Sequence, residues 1–143
     1  MVAADSPNPP TTPGSLSTRA VPPLWSALIG ITTLLVLLQG LWAGIFLEHD
    51  GKRDDATPWT TLHNIGGSVA VVVALVATFV AFRQLANRRE LRNATAVLAL
   101  LLVAEVGLGQ ASTSADWLTA VHVPLALFIM GLCVWLPVHA RVG

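Results

Sequence analysis

Residues 62–82 read LHNIGGSVAVVVALVATFVAF, an apolar run without lysine, arginine, aspartate or glutamate. About 20 residues of this kind cross the hydrocarbon core of a bilayer, which is roughly 30 Å thick. Because lipid offers no hydrogen bonds to backbone amides, such a segment must be helical. The stretch therefore predicts a transmembrane helix, and it carries one histidine, His63, near its first end.

Three further stretches have the same character, and they fall at about 24–47, 94–111 and 118–138. Of the 143 residues, 54% are hydrophobic and 11% are charged, whereas about a quarter of a soluble domain is charged. Short loops join the four segments. The sequence therefore predicts an all-α fold, a four-helix transmembrane bundle that forms one domain over residues 22–143.

The basic residues predict how this bundle is oriented. Six of the eight lysines and arginines fall at one end, and these are Arg19, Arg83, Arg88, Arg89, Arg92 and Arg141. The positive-inside rule places that end, with both termini, in the cytoplasm, and the protein in the plasma (inner) membrane. Trp59 and Trp117 then mark the outer interface. Residues 1–21, rich in Pro, Ser and Thr, predict a disordered cytoplasmic tail. No basic stripe interleaved with aromatic residues indicates nucleic acid as a partner.

The order of motifs indicates an internal duplication. The first helix ends in LLQGLWAG and the third in VAEVGLGQA, each with a polar residue (Gln39, Glu105) before closely spaced glycines. An outer loop, a tryptophan and a histidine follow in both halves. Two helical hairpins in a pseudo-two-fold repeat have this order, although any two hydrophobic hairpins look partly alike.

His63 and His122 occupy corresponding positions in the two hairpins, near the outer end of the second and fourth helices. An ionisable residue inside the membrane is costly and marks a functional site. At 1.5 Å per residue, each histidine lies roughly 6–8 Å below its tryptophan. Two imidazoles at matching depth on facing helices suit the two axial positions of a haem iron. We expect His63 and His122 to ligate a b-type haem; the alternatives are a pair of structural, hydrogen-bonding histidines and the binding of another metal.

Small residues lie beneath His63 at helical intervals, namely Gly67, Ala70, Ala74 and Ala77, and Gly66 widens this stripe. As cofactor-binding residues, Gly66 and Gly67 would give a flat macrocycle clearance. The competing interpretation is close helix–helix packing, which membrane bundles achieve through small residues.

Glu105 is the other costly residue, because it lies near the depth of the histidines in the third helix. In the cofactor site it would hydrogen-bond a ligand imidazole or pass a proton. Gln39 holds the corresponding place in the first helix, so an interhelical hydrogen bond between Gln39 and Glu105 is the alternative.

The remaining candidate ligands carry less weight. Two histidines are too few for a zinc site, which needs three or four protein ligands. His49 lies in the outer loop, and His139 is roughly 25 Å from His122 along the fourth helix. A single cysteine, Cys133, excludes an internal disulfide and is expected to be a small buried side chain.

Around the two histidines the chain resembles one four-helix half of the heme A synthase family. LHNIGGSVAVVVAL around His63 and AEVGLGQASTSADWLTAVHVPLAL around His122 carry the resemblance. It implies axial ligands at His63 and His122. The chain has half the helices of that family, and Thr60 and Thr119 stand where its substrate-processing half has a glutamate. The half that only holds haem is thus the better guide, and oxidation of a haem methyl is poorly supported.

The function expected from these features is that of a membrane b-type haem protein, for electron transfer or as a redox accessory of a respiratory chain. Bis-histidine ligation leaves no open iron position, which favours electron transfer. A redox partner or quinone is then implied, and a homodimer would restore an eight-helix architecture. The alternative is a haem-free structural or assembly subunit of a membrane complex.

Overall fold

The computed structural model of the protein describes residues 21–48, 53–112 and 115–142. Within these ranges the regular structure is entirely helical. The four long helices are α1 (Pro23–Glu48), α2 (Arg53–Gln84), α3 (Arg89–Ala111) and α4 (Thr119–Val142), and a 3-10 turn, Asp116–Leu118, precedes the last. His49 and nearly all of the predicted N-terminal tail lie outside the described residues.

All four helices are long and apolar enough to cross a membrane, which confirms the predicted fold class. Two of them begin earlier than hydropathy indicated. α2 begins at Arg53 rather than near residue 62, and α3 begins at Arg89 rather than near residue 94. Hydropathy detects only the part of a helix that lies in lipid, whereas a helix continues into the polar interface wherever its backbone can remain hydrogen-bonded.

The helices form a four-membered ring in chain order. α1 packs against α2 and α4, and α3 packs against the same two helices. Within the described ranges, α2 and α4 have no close backbone contact with each other. They are therefore diagonal partners across the bundle, so side chains from the two helices that point inward can approach each other.

Burial is concentrated at the arginine-rich end. In α1 the buried residues all fall between Trp25 and Val36, and in α4 between Ile129 and Ala140. The described histidine-end halves of α1 and α4 contain no buried residue. The bundle is thus tightly packed at the end where α1 begins and α4 ends, and less so where the histidines lie.

Buried hydroxyl and indole groups link the helices in the packed half. Trp25 donates from Nε1 to Oγ1 of Thr95 at 3.1 Å, and Thr95 in turn donates to the Leu91 carbonyl at 2.7 Å. Thr78 of α2 donates to the Thr95 carbonyl at 3.2 Å. With no water in the hydrocarbon core, such bonds satisfy polar groups and fix the contacts between α1, α2 and α3.

Candidate functional site

The structure brings His63 and His122 together across the bundle. Their ring centroids are 6.4 Å apart, and the ring planes are inclined at 73°. His63 lies on α2 and His122 on α4, the two diagonal helices. Two residues 59 positions apart in the sequence (122 − 63) therefore face each other in the less tightly packed half of the molecule.

His63 is held from the side of α1. Its Nδ1 lies 3.2 Å from the backbone carbonyl oxygen of Gln39, and the Phe46 ring meets it edge-on with centroids 5.5 Å apart. The side-chain nitrogen of Gln39 also lies 3.1 Å from Nδ1, so this ring nitrogen has both a donor and an acceptor within hydrogen-bond distance. In the tautomer with the proton on Nδ1, the lone pair is on Nε2 of His63, the nitrogen that can then ligate a metal.

The side chain of Gln39 adds a second connection to the same turn of α2. Oriented so that both ends of its amide are satisfied, it donates from Nε2 to the His63 carbonyl at 2.7 Å and accepts from the Gly67 N–H at 3.1 Å. One amide thus bridges two backbone groups one helical turn apart, the His63 carbonyl and the Gly67 N–H. The α1 helix in this way fixes both the ring of His63 and the backbone that carries it.

His122 is held from the side of α3. Its Nδ1 lies 3.0 Å from Oε1 of Glu105, and the two side chains are only 19% and 11% exposed. The ring N–H is not aligned with the oxygen closely enough for a hydrogen bond. Nδ1 and both carboxyl oxygens therefore lack a hydrogen-bond partner among the described residues. A small rotation of the imidazole would align the pair, so this contact has the distance but not yet the direction of a carboxylate–histidine bond.

Gly109 provides the surface on which the His122 ring lies. A Cβ built on Gly109 would be 3.1 Å from Cε1 of that ring, whereas one on Gly107 would meet nothing within 4 Å. Gly109 follows Glu105 by four residues, so the two lie on the same face of α3. Glu105 and Gly109 together set the position of the ring.

The two histidines are supported in the same way within their hairpins. In each hairpin the polar residue near the end of the preceding helix contacts Nδ1 of the histidine, Gln39 for His63 and Glu105 for His122. No hydrogen bond joins Gln39 to Glu105 in the part of the chain that the structure describes. This pattern agrees with the two-hairpin repeat expected from the sequence.

The glycines and alanines below His63 are mostly enclosed by protein. Ala70, Ala74 and Ala77 are fully buried. A Cβ on Gly66 would collide with the side chains of Trp42 and Gln39, and one on Gly67 would lie 3.4 Å from Val106. The stripe is therefore occupied by close helix packing, and the assignment of Gly66 and Gly67 to a cofactor stays a prediction.

The arrangement of the histidines fits one kind of metal site. With metal–nitrogen bonds of about 2 Å, imidazoles that ligate one ion from opposite sides have centroids roughly 6 Å apart. The observed 6.4 Å matches this spacing. Both contacts to neighbouring helices use Nδ1, and neither Nε2 has a hydrogen bond to a described residue. The described residues contain no group of three or more His, Cys, Asp or Glu side chains able to hold a metal ion.

The other candidate ligands lie elsewhere. Nε2 of His139 is 3.1 Å from Oε2 of Glu90, and its ring stacks on Trp135. Cys133 is fully buried, as the sequence predicted. Sequence reasoning missed Phe46 and Gly109 as neighbours of the histidines. Helical stepping from Glu105 finds Gly109, whereas nothing in the sequence indicated Phe46.

Comparison of the chain with protein-family models, with curated proteins and with solved structures finds no match.

Proposed function

We propose that the chain is a membrane b-type haem protein in which His63 and His122 are the two axial ligands of the iron. The observation that carries the proposal is the 6.4 Å separation of two imidazoles on diagonal helices. Each ring has its Nδ1 turned to a neighbouring helix and its Nε2 left for a metal. Metal-ligating histidines generally have their second nitrogen bonded to a carbonyl or carboxylate, and the corresponding oxygens of Gln39 and Glu105 lie 3.2 and 3.0 Å from the two Nδ1 atoms.

The residues around the histidines have separate tasks in this proposal. Gln39 holds the ring and backbone of His63, and Glu105 with Gly109 positions His122. Phe46 excludes water from one edge of His63. When bound, haem supplies one-electron redox chemistry, and two histidine ligands leave no position for oxygen. We therefore favour electron transfer, or a redox accessory role in a respiratory chain, over an enzymatic oxidation.

The location that we propose for the protein rests on the distribution of its basic residues. The positive-inside rule puts the arginine-rich end and both termini in the cytoplasm, and the plasma membrane is the location that we propose. The haem would then lie near the outer face, in the manner of the haem-holding half that the chain resembles in the heme A synthase family. A quinone or another redox protein would exchange electrons there, and a homodimer would bring two such halves together.

Two features of the packing favour a second function, that of a haem-free structural or assembly subunit. The small-residue stripe of α2 is enclosed by packing, and contacts such as Glu105 to His122 link neighbouring helices without any cofactor. In that case the histidines serve only to join helices within the bundle. Such a protein would be colourless and would tolerate His63→Ala.

The deciding experiment is an oxidised and a dithionite-reduced absorption spectrum of the protein purified after expression with ample haem. We expect a sharp low-spin b-type band on reduction, lost in His63→Ala and in His122→Ala. His139→Ala is the matched control, because His139 lies at the opposite end of α4, and it should retain the band. A colourless wild-type protein that is folded by circular dichroism would contradict the haem proposal and favour the structural subunit.

A further inference from the structure

Four arginines lie within ten residues at the turn between α2 and α3, namely Arg83, Arg88, Arg89 and Arg92, which we call the arginine collar. The same stretch contains one acidic residue, Glu90, and its Oε2 already contacts Nε2 of His139. No described carboxylate forms an ion pair with any collar arginine. The collar therefore holds four positive charges against the one carboxylate of Glu90, and none of the four forms an ion pair with a described residue.

The collar lies at the level of the lipid headgroups. The apolar spans of α2 and α3 run from Pro58 to Gln84 and from Arg89 to Ala111, so the turn between them is at the boundary of the hydrocarbon core. Arginine guanidinium groups at this depth can reach lipid phosphates, while the aliphatic parts of the side chains lie along the apolar surface.

Two collar arginines are directed to the lipid-facing side of the bundle. The guanidinium of Arg83 lies 5.4 Å from the centroid of the Phe79 ring, and that of Arg92 lies 5.0 Å from the Phe82 ring. Phe79 is 62% exposed and belongs to the outer apolar face of α2. These contacts hold the guanidinium groups of Arg83 and Arg92 next to the outer apolar face of α2, which lipid acyl chains would cover. The two groups therefore lie at the side of the bundle and not over the centre of its end.

The other two collar arginines border a crevice of about 730 Å³ between the turn and the end of α4. Arg88 donates from Nη1 to the Ala140 carbonyl at 3.0 Å and so ties the turn to α4. Arg89 is exposed at the start of α3, three residues before Arg92, which places both on one face of that helix. Glu90 and His139 also line this crevice, whereas Arg83 and Arg92 lie outside it, on the side of the two phenylalanine rings.

We propose that the collar is a binding site for anionic phospholipid, with the lipid phosphate on Arg83, Arg89 and Arg92 and the acyl chains along Phe79 and Phe82. The combination of guanidinium groups without ion-pair partners and adjacent exposed aromatic rings matches a lipid better than a soluble anion. A soluble anion would bind the guanidinium groups but would make no contact with the aromatic rings. The site is independent of the proposed haem function and lies at the opposite end of the bundle.

The test uses the full chain in vesicles of phosphatidylcholine that contain spin-labelled phosphatidylglycerol or spin-labelled phosphatidylcholine. We expect the immobilised fraction to favour phosphatidylglycerol, and this preference to fall by roughly fivefold per arginine removed in Arg83→Gln/Arg92→Gln. The double change Lys52→Gln/Arg53→Gln is the matched control, because it removes the same charge outside the arginine collar, and Arg53 is the first residue of α2. It should leave the preference unaltered.

Two results would overturn the proposal. One is an equal association of both lipids with the wild-type protein; the other is an unchanged preference in the folded Arg83→Gln/Arg92→Gln variant. Inorganic phosphate added to the same vesicles distinguishes a soluble ligand, because a true lipid site keeps its preference while a free-phosphate site loses it. Circular dichroism of each variant confirms that the bundle is folded.

Discussion

Nδ1 of His122 and Oε1 of Glu105 lie 3.0 Å apart between α4 and α3, within the membrane-spanning part of the chain. His63 has a different partner, the neutral backbone carbonyl of Gln39. The two histidines are therefore equivalent in position but unequal in electrostatic environment. A carboxyl group within contact distance of a ligand imidazole differs from a neutral carbonyl in its effect on that ligand's basicity, so we expect the two sides of the proposed haem to differ in electron donation.

Replacement of Glu105 tests this asymmetry. Because second-shell partners contribute to metal affinity, Glu105→Ala should weaken haem binding by roughly 10–100-fold. Glu105→Gln keeps the shape and removes the charge, so we expect bound haem with a higher midpoint potential. Haem titration and potentiometry measure these effects. Glu90→Gln, at the other end of α3, is the control and should match the wild-type protein; unchanged affinity and potential in both Glu105 variants would contradict the assigned role.

Gly66 is predicted to be required for the packing of α1 against α2. A methyl group there would collide with Trp42 and Gln39, and overpacking of this kind costs about 1–3 kcal/mol. Gly66→Ala should therefore lower the unfolding temperature in detergent. Gly131→Ala is the control, since a Cβ at Gly131 meets nothing within 4 Å. Equal unfolding temperatures for the two variants would show that α1 and α2 are less closely packed here.

Gly109 is predicted to control the orientation of His122 with little effect on stability. A Cβ at Gly109 would be 3.1 Å from Cε1 of the ring, so the imidazole must shift by a few tenths of an ångström. Gly109→Ala should alter the electron paramagnetic resonance spectrum of the oxidised haem protein while leaving its unfolding temperature nearly unchanged. Gly107→Ala adds the same methyl group where nothing lies within 4 Å; if it changed the spectrum equally, the effect would not come from contact with His122.

The hydrogen bond from Trp25 to Thr95 is predicted to stabilise the packed end of the bundle. Interhelical bonds of this type contribute about 0.6–1.7 kcal/mol, and this one is buried with an N–O distance of 3.1 Å. Trp25→Phe and Thr95→Val should each lower the free energy of unfolding, and the double variant should lose less than the sum. Trp135→Phe, at a half-exposed tryptophan, is the control. Strict additivity in the cycle would show that the bond contributes nothing.

The sequence predicted the positions of the helices better than it predicted the side-chain contacts of the site. Hydropathy located all four spans, yet it placed the start of α2 near residue 62, because the polar turns from Arg53 onward carry no apolar signal. The repeat of motifs indicated that His63 and His122 share a depth. It did not distinguish a Gln39–Glu105 bond from separate contacts to each histidine, since that choice depends on the rotation of each helix about its axis.

The sequence by itself determined the class of fold, the number of spans, the arginine-rich end and the pair of intramembrane histidines. These features follow from the transfer of each segment between water and lipid, which is a property of local composition. The tertiary structure alone decided that α2 and α4 are diagonal, that Nδ1 of each ring faces the preceding helix, and that Trp42 and Gln39 fill the space beside Gly66. Those outcomes depend on side-chain packing between segments distant in the chain, and no property of one segment specifies them.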